Sequence, residues 1–206
     1  MFSRRFHKYI GLAMMVPMVG WAITGVVFFI KPGYAGAYEI LNPKTYPLES
    51  DYSISMDDLW EEVRVIKSIL GVHVLARSNG DYWNLNPGTL EPSEIPDKQR
   101  LKLLFEDAVS RNSARYGAIE RIENLTAYTS TGIEVELNWD RLTFNQQGFD
   151  RKIIDSLYRI HYLQWTPWSA VNQLMGFVGL LLLMALMVFG VRIYFSGRGA
   201  VNNSCD

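Results

Sequence analysis

The stretch Tyr9–Ile30 reads YIGLAMMVPMVGWAITGVVFFI and contains no charged residue. A helix needs about 20 consecutive apolar residues to cross a hydrocarbon core of about 30 Å. A single segment in lipid can satisfy its backbone polar groups only as a helix. The run therefore predicts a transmembrane helix over residues 9–31. Because it exceeds the roughly 7–15 apolar residues of a signal-peptide core, we interpret it as a retained span.

A second apolar run predicts a second transmembrane helix over residues 169–195, with an uncharged centre at Leu174–Val191. Basic residues lie where each span meets its chain terminus: Arg4, Arg5, Lys8, Arg192 and Arg198. Lys and Arg close to span ends remain in the cytoplasm. We therefore expect a cytoplasmic basic stub (1–8), a cytoplasmic tail (196–206) and a periplasmic middle domain (33–148), in the inner membrane of a bacterium.

The charge of the middle region argues against a nucleic-acid surface. Between residues 33 and 160 there are 20 acidic and 14 basic side chains, whereas nucleic-acid binding needs a basic patch. Cys205 is the one cysteine, so no internal disulfide is available, and we interpret it as a solvated thiol in the tail.

The middle domain is predicted to contain two copies of one unit, at about 53–93 and 96–148. In the first copy, a helix capped at Ser55 and running to Leu70 precedes two strands around a turn at Asn79-Gly80. In the second copy, a helix after Asp97 precedes strands around Thr131-Gly132.

One spacing supports the duplication: Leu85-Asn86…Leu90 recurs 52 residues later as Leu137-Asn138…Leu142. Helices packed on antiparallel strands give an α+β domain. The predicted fold class is thus an α+β membrane protein, in which two transmembrane helices flank a periplasmic domain of two helix/antiparallel-sheet repeats.

Residues 149–166 have the pattern of an amphipathic helix that lies in the membrane interface. Its apolar face is predicted to comprise Ile154, Leu157, Tyr158, His161 and Trp165.

No motif for a nucleophilic triad, phosphate loop, zinc site or dinucleotide fold is present, and no catalytic residue is predicted. His7 and His161 each stand at the entrance of a span, where an imidazole can ligate haem iron. They are the candidate cofactor-binding and metal-ligating residues, with haem b as the candidate cofactor. The alternative is that both are polar interfacial residues. We interpret His73, in a predicted strand, as structural or solvent-facing.

The two candidate ligands should lie at opposite membrane faces, about 30 Å apart, so they cannot ligate one haem within one chain. Two copies related by a two-fold axis along the membrane normal would pair His7 with its mate and His161 with its mate. Small residues on the spans would allow such close helix approach: Gly11, Gly20, Thr24, Gly25, Gly176, Gly179 and Gly190.

Several motifs occur in a characteristic order: Phe6-His7-Lys8-Tyr9-Ile10-Gly11-Leu12, Thr24-Gly25, Leu-Asn-Pro-Gly-Thr-Leu at 85–90, and Tyr158-Arg159-Ile160-His161. In this order the chain resembles the PepSY-associated transmembrane family of iron-regulated inner-membrane proteins and siderophore-linked reductases. The resemblance implies a periplasmic PepSY region, haem bound by transmembrane histidines in some members, and electron transfer towards ferric siderophores. The chain departs from the larger members, which have about four spans and further intramembrane histidines.

Two functions remain open from the sequence. The first is haem-linked electron transfer across the membrane, towards ferric siderophore or another periplasmic acceptor. The second is a non-catalytic accessory or regulatory subunit, without haem, that binds a membrane complex or a periplasmic partner. The expected partners are membrane lipid and either a second copy of the chain or a larger membrane complex, with no nucleic acid.

Overall fold

The computed structural model describes residues 2–49 and 59–202. The predicted helix cap at Ser55 and the tail thiol of Cys205 lie outside these residues. The chain divides into two compact units. The first combines Met1–Pro32 with Ile153–Asp206, and the second is Gly33–Lys152.

The helices, in chain order, are α1 (Phe2–Ile30), α2 (Tyr34–Ala37), α3 (Lys98–Val109), α4 (Ser113–Tyr116), α5 (Phe149–His161) and α6 (Ser169–Asn202). The strands are β1 (Glu62–Ser68), β2 (Gly71–Ser78), β3 (Asp81–Leu85), β4 (Ile119–Glu123), β5 (Thr126–Thr129), β6 (Glu134–Asn138) and β7 (Thr143–Gln147).

In the first unit, α1 and α6 pack against each other. Both are long and apolar enough to cross a membrane, over Ser3–Ile30 and Ser169–Ser196, which agrees with the two predicted spans. The predicted basic stub forms the first turns of α1, and α6 continues beyond residue 195. Basic side chains end a hydrophobic segment, but they do not interrupt helical hydrogen bonding.

Glycines bring the helices of this unit close together at several of the predicted positions. A Cβ built on Gly11 would lie 3.6 Å from Leu186, and one on Gly179 would lie 3.0 Å from Leu163. Gly25 is different, because a Cβ there would meet no atom within 4 Å. Within the described residues of one chain no close approach is thus seen at Gly25, and its predicted role between two copies stays a prediction.

The predicted amphipathic helix corresponds to α5, which ends at His161, five residues before the predicted end. Its C-terminal half packs on α1, where the ring of Tyr158 stacks on Phe28 with centroids 4.5 Å apart. The indole Nε1 of Trp21 donates a hydrogen bond of 2.6 Å to the carbonyl oxygen of His161. At Tyr158 and His161, α1 therefore covers part of the face that we expected to contact lipid.

The second unit contains two antiparallel sheets, ordered β1-β2-β3 and β4-β5-β6-β7. The predicted hairpin at Asn79-Gly80 is confirmed: β2 pairs with β3, and both turn residues have positive φ, 52° and 88°. In the repeated motif, Leu90 and Leu142 both adopt positive φ. Two leucines 52 residues apart thus share an unusual backbone conformation.

The helix predicted up to Leu70 in the first copy was wrong where the structure describes it. Residues 62–68 form β1, in which Val63 pairs with Ala76 and Val65 with Val74. The apolar spacing fits a helix as well as a strand, but β-branched side chains favour a pleated, half-buried surface.

The larger of the two buried clusters described in this unit packs α3 on the second sheet, and the smaller one lies on the first sheet. Asp97 caps α3 by accepting hydrogen bonds from the backbone of Gln99 and Arg100, as predicted. The buried face of α3 comprises Leu101, Leu104, Phe105, Ala108 and Val109. Phe105 meets Phe144 on β7, a strand that the sequence did not predict, at 5.4 Å between centroids. The fold class is α+β, as expected.

Candidate functional site

His161 is the last residue of α5, and three side chains of α1 hold it in place. Trp21 binds its carbonyl oxygen, which satisfies an acceptor that a helix end leaves without an intrahelical donor. Phe28 meets the imidazole edge-on, with centroids 5.1 Å apart. The hydroxyl oxygen of Thr24 lies 2.8 Å from imidazole Nδ1. The position of the ring is therefore set by packing within this unit.

The other ring nitrogen of His161, Nε2, makes no hydrogen bond to any residue that the structure describes. The nearby hydroxyl of Thr24 contacts only Nδ1, and Thr24 itself is 1% exposed. His161 thus combines one anchored nitrogen with one that is available to a ligand.

A cavity of about 400 Å³ adjoins His161. It is lined by Trp21, His161, Tyr162, Leu163, Gly176, Leu180 and Leu183. Ligand pockets usually measure about 300–1,000 Å³ and are mostly apolar with a few polar groups, and this cavity matches that description. A tetrapyrrole is larger than the cavity, so it could enclose only part of a haem.

His7 lies near the other end of α1, against α6. A Cβ built on Gly190 would come within 3.4 Å of His7 Cε1 and 3.9 Å of Nδ1. The Nδ1 atom is buried and has no hydrogen-bond partner among the residues described. Such orphaned polar atoms are rare in proteins, which makes this nitrogen a second candidate ligand.

The structure does not bring the two predicted ligands together. His7 precedes Thr24, the hydroxyl contact of His161, by seventeen residues on one helix, or about 25 Å at 1.5 Å per residue. Among the described residues there is no group of three or more His, Cys, Asp or Glu side chains that could hold a metal. Neither histidine therefore belongs to such a group among the described residues.

His73 has a different environment, in the second unit. Its Nε2 lies 2.8 Å from Ser68 Oγ, and its Nδ1 lies 3.2 Å from Asn84 Oδ1. Asn84 in turn donates to the carbonyl of Trp139. Burial lowers the pKa of His73, opposed by the hydrogen bond to Asn84. Both ring nitrogens are occupied, so His73 is structural, in agreement with one of the two roles expected for it.

Sequence reasoning missed Trp21 and Phe28 as parts of the site and treated Thr24 only as a small residue and as part of the Thr24-Gly25 motif. A signal was present, because Trp21, Thr24 and Phe28 recur at positions i, i+3 and i+7 and so share one face of α1. Within an uninterrupted apolar run that spacing is hard to recognise, since every face of the helix is apolar.

Comparison with known proteins agrees with this architecture. The family model described as the PepSY-associated TM region matches residues 1–196. No curated protein and no solved structure matches the chain significantly. Two apolar helices, two antiparallel sheets between them and a family match over nearly the whole sequence lead to one conclusion: the chain is a membrane protein that belongs to the PepSY-associated TM region family.

Proposed function

We propose that the protein binds haem b and carries electrons across the bacterial inner membrane, towards ferric siderophore or another periplasmic acceptor. In this proposal both termini are cytoplasmic and the two-sheet unit is periplasmic. The basic residues beside the spans support that orientation.

The proposal rests on the hydrogen bonding of the His161 ring and on its place in the cavity lining. Its Nδ1 is anchored on Thr24, its Nε2 has no partner among the residues described, and it lines an apolar cavity. A histidine fixed through one nitrogen is the usual form of a metal ligand, which binds through the other. When bound, haem supplies one-electron chemistry, and the chain supplies ligation, orientation and an apolar environment.

A homodimer would complete both sites. With a two-fold axis along the membrane normal, His161 would face its counterpart at one level and His7 its counterpart at the other. The dimer would then hold two haems at two depths. The orphaned Nδ1 of His7 beside Gly190 supports the second site.

A second candidate function is an accessory or regulatory subunit without haem. The observation in its favour is that neither histidine belongs to a group of three or more His, Cys, Asp or Glu side chains among the described residues. In that case the spans would pack against a larger membrane complex, and the two-sheet unit would bind a periplasmic partner.

Spectroscopy of the full-length protein tests the proposal. We expect protein purified from cells supplied with a haem precursor to show a b-type reduced-minus-oxidised spectrum. His161→Ala and His7→Ala should each remove about half of the bound haem, because each would abolish one of the two sites. Folded but colourless wild-type protein would overturn the proposal and leave the accessory function.

A matched pair of variants tests the cavity itself. Leu183→Trp places a large ring in the cavity that His161 lines, whereas Leu181→Trp adds the same ring at a position that is 49% exposed and outside the cavity lining. We expect the first variant to lose the haem that depends on His161 and the second to keep it. Equal spectra for the two variants would place the haem elsewhere.

A further inference from the structure

We infer that Thr24 is a positioning residue: its hydroxyl holds His161 in the tautomer protonated at Nδ1, so that Nε2 presents a lone pair to the cavity ligand. The identity of that ligand as haem rests on the proposed function. The tautomer itself does not, because it follows from hydrogen bonds within the chain.

The tautomer of His161 follows from the number of protons that the Thr24 hydroxyl can donate. The Thr24 hydroxyl oxygen lies 2.6 Å from the carbonyl oxygen of Gly20 and 2.8 Å from His161 Nδ1. A carbonyl oxygen can only accept, so the single hydroxyl proton of Thr24 is donated to Gly20. The hydroxyl oxygen then has only lone pairs to offer to His161. A hydrogen bond at 2.8 Å therefore requires the proton to be on Nδ1.

Few other groups can form a hydrogen bond with the ring nitrogens of His161. Thr24 is 1% exposed, so bulk water does not compete for its hydroxyl. Trp21 donates to the backbone carbonyl of His161 and does not reach the ring nitrogens, and Phe28 meets the ring only at its edge. Thr24 is thus the one described side chain that hydrogen-bonds to the imidazole.

The tautomer determines what His161 can bind. A neutral imidazole protonated at Nδ1 has a lone pair on Nε2, which attracts a Lewis acid or a hydrogen-bond donor and disfavours a hydrogen-bond acceptor. A donated Nδ1–H bond also makes Nε2 more basic, and loss of such outer contacts typically lowers metal affinity 10–100-fold. Thr24 therefore selects an electron-pair acceptor, such as haem iron, for this site.

The first test measures the tautomer in haem-free, full-length protein in detergent. Imidazole 15N shifts distinguish a protonated from an unprotonated ring nitrogen, and the His161 signals are assigned by their loss in His161→Gln. Wild type and Thr24→Ser should show Nδ1 protonated and Nε2 unprotonated. Thr24→Val keeps the shape without the hydroxyl and should shift the population to Nε2–H. Thr24→Ala replaces it if the valine variant does not fold.

The second test uses haem titration and redox potentiometry on the same variants. We expect Thr24→Val to weaken haem binding 10–100-fold and to raise the midpoint potential, because a less basic ligand stabilises ferric iron less. Thr24→Ser should stay within about threefold of wild type.

The two tests distinguish failure of the proposed haem binding from failure of the positioning role of Thr24. A wild-type protein that binds no haem would overturn the proposed function, while the 15N shifts would still decide the tautomer. Retention of the Nδ1–H form in both Thr24→Val and Thr24→Ala would overturn the role of Thr24. So would haem affinity and potential equal to those of wild type in a protein that does bind haem.

Discussion

The ring of His7 lies where Gly190 leaves space between α1 and α6: a Cβ built on Gly190 would come 3.4 Å from His7 Cε1. A Cβ at this distance would be in van der Waals contact with the ring, so a side chain larger than alanine at 190 must displace the ring. The Nδ1 atom of His7 is buried here and has no hydrogen-bond partner among the described residues.

Gly190→Leu should therefore remove the haem that depends on His7 and leave the haem that depends on His161. Gly25→Leu is the matched control, because a Cβ on Gly25 meets no atom within 4 Å. The measurement is the reduced-minus-oxidised spectrum of each variant, combined in turn with His7→Ala. A further loss of haem when His7→Ala is added to Gly190→Leu would show that Gly190 does not act through His7.

Hydrophobic length and turn chemistry made much of the fold predictable. The two spans follow from uncharged runs, and the hairpin at Asn79-Gly80 follows from two residues that tolerate positive φ. The cap at Asp97 and the buried face of α3 likewise follow from local signals. In these segments the local preference and the tertiary structure agree.

Segments whose pattern fits two structures were not predictable in the same way. In β1, Val63 and Ile66 are spaced for a helix, yet pairing with β2 makes the segment a strand. In β7, Phe144 and Gln146 are both buried, and a buried glutamine conceals the alternation of apolar and polar residues. Its burial depends on distant carbonyls at Gly36 and Ala37, which no local pattern reveals.

The candidate site was predictable only as far as its histidines. His7 and His161 are conspicuous because the chain has three histidines and these two stand at the entrances of the spans. Their contacts with Thr24 and Gly190 join residues 137 and 183 positions apart. The packing of α1 against α5 and α6 creates these contacts, so they cannot be deduced from the spacing of residues in the sequence.

Arg115 connects distant parts of the second unit. Its Nη1 donates to Asp150 Oδ2 at 2.8 Å, and its Nη2 donates to Gln146 Oε1 at 2.7 Å. The side chain of Arg115 is only 12% exposed. The hydrogen bond from Arg115 lowers the pKa of Asp150, which shows that the ionised carboxylate is the form that this contact favours.

Arg115→Met should lower the free energy of unfolding of this unit by about 2 kcal/mol, because two hydrogen bonds to a charged group are lost and their partners remain partly buried. Arg64→Met is the control. Arg64 pairs with Glu62 at 3.2 Å with side chains 54% and 42% exposed, and exposed pairs contribute about 0–1 kcal/mol. Thermal unfolding of the two variants is followed by circular dichroism. Equal losses of unfolding free energy in Arg115→Met and Arg64→Met would contradict a specific role for Arg115.

His73 should make the stability of the second unit depend on pH. Burial lowers its pKa below the ordinary value of 6.5, so the unfolded chain binds a proton more readily than the folded one. Stability is then complete above pH 6.5 and declines as the pH falls from 6.5 towards the folded-state pKa. One such group changes the free energy of unfolding by at most about 1.4 kcal/mol per pH unit.

Unfolding of the full-length protein at several pH values between 8 and 5, followed by circular dichroism, tests this dependence. His73→Gln removes the titrating group, so the decline attributable to His73 should disappear, although its lost hydrogen bonds with Ser68 and Asn84 should lower stability at every pH. His161→Gln serves for comparison, since it removes a histidine from the other unit and keeps His73. Parallel curves for wild type and His73→Gln would mean that His73 binds a proton equally well folded and unfolded.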